Sequence, residues 1–84
     1  MSPRTIPELN AAIESQRRER TEALHDARVY RKLVASPYAT EETRQGLSRG
    51  IAACVSIAHY AHRQLLDDQR QIRLQAKRLA EAGQ

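Results

Sequence analysis

Phenylalanine and tryptophan are absent from this 84-residue chain, and cysteine occurs once. The lone Cys54 excludes a disulfide within one molecule. In an apolar stretch it reads as a small core residue rather than a reactive thiol, and it suits a reducing compartment. Tyrosine occurs three times but not in the basic segment near the C-terminus, which therefore has no interleaved rings for stacking on bases. The three glycines are scattered and build no phosphate-cradling loop. The longest apolar run, Ile51 to Ala61, is about half of what a membrane span needs and is interrupted by Ser56, His59 and Tyr60. The first residues lack the apolar core of a secretory signal. No strand-like alternation, internal repeat or low-complexity tract occurs. The chain reads as one soluble, cytoplasmic domain without a membrane span.

Charge of one sign does not dominate either. The net charge is +4, divided evenly: residues 1–39 and 40–84 each carry seven Lys/Arg and five Asp/Glu. Neither half is a basic arm.

What is present is helical period. Thr5-Ile6-Pro7-Glu8 has the makings of a helix start, with Thr5 as cap, Pro7 in the first turn and Glu8 at the positive end of the dipole. Apolar residues then fall at Ile6, Leu9, Ile13, Leu24, Ala27 and Val34, interrupted by Gln16, Arg17 and Arg20. Pro37 disfavours helix at Ser36, and Thr40 before Glu41 and Glu42 caps a second helix. Its stripe is Leu47, Ile51, Cys54, Val55, Ala58, His62, Leu65, Ile72, Ala76 and Leu79. The expected fold is all-α: an antiparallel two-helix hairpin with a helix over about 7–34, a turn over 35–40 and a helix over about 41–80. Folding about Pro37 sets Leu24 opposite Ile51, Ile13 opposite His62, Leu9 opposite Leu65, and Arg20 opposite Cys54 and Val55. The segment 70–84 then overhangs as a basic helix with a fraying end, Ala82-Gly83-Gln84.

A second stripe, Gly46, Gly50, Ala53, Ile57 and Tyr60 flanked by Ala61, lies on roughly the opposite side of the second helix. Glycine inside a helix costs about 1 kcal/mol relative to alanine, and close packing against another backbone would offset that. One hairpin cannot cover both stripes. The six residues are therefore the expected contact with another helical protein or a second copy.

Other chemistry is sparse. Glu22 and His25 have the Glu-x-x-His spacing of di-metal bundles, and His59 and His62 are three apart. Yet helix two holds no acid between Glu42 and Asp67, so half of such a site is missing; no cofactor or metal is expected. Cys54 sits on the packing stripe, no nucleophile–base pair is evident, and no enzymatic activity is expected. Arg17, Arg18 and Arg20 alternate with Glu14, Glu19 and Glu22 as a solvated ion-pair face. The segment QRQIRLQAKR differs: Arg70, Arg73, Lys77 and Arg78 stand there without an acid, as contacts for an anionic partner such as nucleic acid.

A first helix, a proline-containing turn and a longer second helix with the middle SIAHYAHRQ, from Ser56 to Gln64, resembles the small YscE/SsaE-like co-chaperones of type III secretion. That resemblance covers most of the chain at the level of architecture. It implies a protein that pairs with a larger helical-repeat chaperone and keeps a needle subunit soluble in the cytoplasm. The longer basic tail and the Gly46/Gly50 pair depart from it. Small two-helix inhibitors encoded by phages or plasmids look similar and need an apolar face for a host target. The sequence thus points to a non-enzymatic interaction module, an adaptor or co-chaperone. Its alternatives are an inhibitor and a helical dimer that binds nucleic acid through the basic C-terminal helix.

Overall fold

Thr5 closes the first helix in the computed structural model, which describes residues 4–83. Its hydroxyl accepts the Glu8 backbone N–H at 3.3 Å, satisfying one of the donors that a helix start leaves unpaired. Helix α1 runs Ile6–Val34 with Pro7 in its first turn and Arg31 and Lys32 in its last, each matched to the dipole. The chain reverses through short Ser36→Leu33 and Ala39→Ser36 backbone bonds. Thr40 then accepts the Thr43 N–H at 3.1 Å, and α2 continues unbroken over Glu41–Ala82. The all-α hairpin and both helix starts stand as expected; α2 ends two residues beyond the expected boundary. The expected fraying of Gln84 lies outside the described residues. No helix among the described residues is long and apolar enough to cross a membrane.

The two helices pack only on one another, in a 4-3 rhythm. On α1 the buried and half-buried series is Leu9, Ile13, Gln16, Arg20, Ala23, Ala27, Tyr30 and Val34. On α2 it is Leu47, Ile51, Cys54, Ala58, Ala61, Leu65, Asp68, Ile72 and Gln75. Each series steps alternately by three and four, the seam of a coiled coil. Four of the seven fully buried apolar residues are alanines, Ala23, Ala27, Ala58 and Ala61, so the middle of the hairpin joins through small side chains. The larger ones, Leu9, Ile13 and Leu65, cluster toward the open end, where each contributes on the order of 2 kcal/mol.

The register differs from a fold about Pro37. Arg20 meets His62, Tyr30 meets Gly50, and Gln75 reaches the Arg4 carbonyl. Opposing residues are displaced toward the C-terminus by roughly six positions, nearly two helical turns. The cause is the turn. It folds back along the first residues of α2, where Arg44 donates to the Ser36 carbonyl, so α1 begins to face α2 only near Leu47. Three expectations fall with the register. Leu24 is 40% exposed rather than in the seam, because Ala23 and Ala27 hold the phase that Gln16 and Arg20 continue. His62 is exposed at the seam's edge. The overhang begins beyond Gln75, not at Arg70, and comprises the exposed positions 76–82.

The result is a rod of 67 × 21 × 14 Å with a radius of gyration of 18.9 Å. A compact chain of this length would have about 12 Å. Two helices side by side bury one stripe each and leave both flanks of the seam open.

Candidate interaction surface

Ile57 and Tyr60 stand on one of those flanks, 44% and 58% exposed. Ala53 and Gly46 are exposed on the same side, and a methyl at Gly46 would meet nothing within 4 Å. These four of the six expected contact residues form an open face. Gly50 and Ala61 do not belong to it. A Cβ at Gly50 would lie 3.3 Å from the Tyr30 ring, so this glycine makes room for the one aromatic side chain in α1's seam. Ala61 is 1% exposed because it occupies a seam position three residues from Ala58 and four from Leu65. The close approach that small residues permit is therefore partly spent within the hairpin.

The basic segment is also divided. Arg70, Arg73 and Lys77 share one side of α2 at steps of three and four, whereas Arg78 points away. Arg73 borders a hollow with Asn10, Glu14 and Arg17, so it has an acid for a neighbour. Arg70 borders another with Asp67 and Asp68.

Among the described residues polar side chains meet across the seam at Asp68 and at His62, besides the Gln75 bond to the Arg4 carbonyl, and the burial of Asp68 was not anticipated from sequence. Asp68 is 1% exposed; its Oδ2 accepts from Gln16 Nε2 at 2.9 Å and its Oδ1 from the Arg4 guanidinium. The signal was present, since the step from Leu65 to Ile72 must land on Asp68, but an acid at that step reads as a break in the stripe. Higher up, Arg20 Nη1 lies 2.8 Å from His62 Nδ1. A guanidinium has only donors, so Nδ1 accepts and the ring proton of this tautomer sits on Nε2. Arg20 is thus withdrawn from the expected ion-pair face. Of that face one ion pair remains among the described residues, Glu14 with Arg18 at 3.7 Å, largely exposed and of little energetic weight.

No family model, no curated protein and no solved structure matches the chain.

The remaining candidates are dispersed. His25, His59 and His62 border one cleft with Leu24, but Glu22 does not reach it. Among the described residues no three His, Cys, Asp or Glu side chains gather as metal ligands. Cys54 is half-buried at a seam position. The surface that remains is apolar and open: besides Ile57 and Tyr60, the exposed large apolar residues include Val29, Leu33, Leu66 and Leu74.

Proposed function

We propose that this chain is a small non-enzymatic interaction module, a cytoplasmic adaptor or co-chaperone whose hairpin is completed by another helical protein. One observation carries the reading: among the described residues the hairpin buries three large apolar side chains and leaves nine exposed. A coil so lightly filled gains most from a further helix laid on a flank. The face of Gly46, Ala53, Ile57 and Tyr60 suits that role, because small residues beside two large ones let a partner helix come close. Burying Ile57 and Tyr60 contributes about 1.5–3 kcal/mol each. The resemblance to type III secretion co-chaperones agrees with this chemistry, and a two-helix inhibitor of a host protein would use the same face.

Ile57→Asp tests the reading. The tagged wild-type chain, nuclease-treated and drawn from its native cell, is expected to hold one protein in stoichiometric amount. The variant is expected to lose it while keeping its helical circular-dichroism signal. No retained protein, or an equal amount on both chains, would overturn the assignment. Unfolding of the isolated variant would place Ile57 in the hairpin's own core instead.

A further inference from the structure

The flank opposite Ile57 carries a different surface. Val55 and Ile57 are two residues apart, about 200° around α2, so they border opposite sides of the seam. On the Val55 side the helices part into a cleft of about 520 Å³. Its floor is apolar: Leu24 from α1, Val55 and Ala58 from α2. Its rim is cationic or imidazole: Arg20 and Arg28 from α1, with His25, His59 and His62 around them. None of the lining residues is acidic, and Arg28 makes no ion pair among the described residues. Toward the open end, Arg17 precedes Thr21, Leu24 and Arg28 at steps of four, three and four, extending the same side of α1. The distance from Arg17 to Arg28 is about three helical turns.

We infer that this cleft is a docking groove for an acidic amphipathic helix of a partner protein, its apolar stripe seated on Leu24, Val55 and Ala58 and its carboxylates on Arg28 and Arg17. Recognition of a helix in a groove uses apolar anchors spaced i, i+3 or i+4, and i+7; Leu24, Val55 and Ala58 receive the anchors of about one turn, and the side of α1 from Arg17 to Arg28 continues along the rest of the helix. The rim selects the sign of the flanking charge, because a basic helix would be repelled from it. Nucleic acid is the poorer occupant. An aliphatic floor offers nothing to a phosphate backbone, and the only rings in the cleft are the rim imidazoles of His25, His59 and His62, with no tyrosine, phenylalanine or tryptophan platform for a base. A second copy in a two-fold contact would bring the same patch against itself, setting Arg28 and Arg20 against their own equivalents. The inference shares with the proposed function only the idea of a protein partner; it uses the other flank.

The test is a titration of the ¹⁵N-labelled full chain with a synthetic stapled amphipathic helix of about four turns. One version has leucines on one face flanked by glutamates, and a second carries lysine at each glutamate. A short DNA duplex is the third ligand. The acidic helix is expected to bind saturably and to shift the amides of Thr21, Leu24, Arg28, Val55 and Ala58. Arg28→Glu should weaken it at least about tenfold, in the range of a lost charge contact. Arg49→Glu, on the side of α2 turned away from α1, should leave it unchanged. Leu24→Gln, at a position already part exposed, should weaken it without loss of helicity. Equal binding of the lysine version, no effect of Arg28→Glu, or shifts centred on Ile57 and Tyr60 would each overturn the inference. Tighter binding of the duplex at the same amides would overturn it in favour of nucleic acid. Of these outcomes only shifts centred on Ile57 and Tyr60 bear on the other reading, and they would favour it, so the two readings fail separately.

Discussion

Asp68 of α2 is held in the seam by Gln16 of α1, whose amide nitrogen lies 2.9 Å from the carboxylate. The contact joins residues 52 positions apart, and Arg4 completes it from the start of the chain. A carboxylate this buried is tolerable only with its partners in place. Polar residues at seam positions set register in coiled coils at a cost in stability, and here they lie where α1 and α2 would otherwise slide.

Arg4→Ala leaves Asp68 with the Gln16 amide alone. The expected loss is about 1–3 kcal/mol, the cost of removing one partner of a buried charged hydrogen bond; urea unfolding measures it. Gln16→Leu together with Asp68→Leu should keep or raise stability, by about 1–4 kcal/mol where a buried polar set is exchanged for apolar packing. The same double variant should show more than one set of interhelical nuclear Overhauser contacts, because the buried polar pairing no longer opposes a slip. A single set in the wild-type register would sink the register role.

The Arg20–His62 contact fixes a tautomer. With Nδ1 accepting from the guanidinium, long-range ¹H–¹⁵N spectra of neutral His62 should show the proton on Nε2. Arg20→Ala should return the ring to a mixture of tautomers. His59, which makes no such contact among the described residues, should be unaffected. A His62 spectrum insensitive to the Arg20 substitution would contradict the contact.

The two helical glycines should respond differently to alanine. Gly46 faces open space, so Gly46→Ala is expected to stabilise the isolated chain by about 0.5–1 kcal/mol through helix propensity and a less flexible unfolded state. At Gly50 the methyl would stand 3.3 Å from two Tyr30 ring carbons; the ring must move, and Gly50→Ala should gain clearly less. Thermal unfolding of both variants decides the order. Equal gains would show that Tyr30 does not rest on Gly50.

The overhang past Gln75 makes no use of α1. Removing residues 77–84 should change unfolding free energy by no more than about 0.5 kcal/mol, as for other surface changes. Amide exchange should be fastest over 76–82. A loss above about 1 kcal/mol would mean that the tail folds back on the hairpin.

The helices and their ends were legible in the sequence because the forces that set them are local. Thr5 and Thr40 cap whatever follows them, Pro37 stops whatever precedes it, and an unbroken period between such marks makes a helix. A turn too short for anything but an antiparallel return follows from the same marks. The open face around Ile57 and Tyr60 was legible for a related reason, since one helix cannot bury two opposite stripes in one neighbour. The register was not legible, because the turn's fold along α2 is invisible in its length. The course of the seam was hidden by its own polar members. Gln16, Arg20 and Asp68 look like gaps in an apolar stripe until each is seen to face a partner across the coil. With that phase lost, Leu24 took the place of Ala23, Gly50 and Ala61 were assigned to the open face, and the Leu24 cleft could not be seen. Local propensity determined the elements. Only the pairing of distant side chains decided which of their faces meet and which stay open, because burial of a polar group depends on the partner that reaches it.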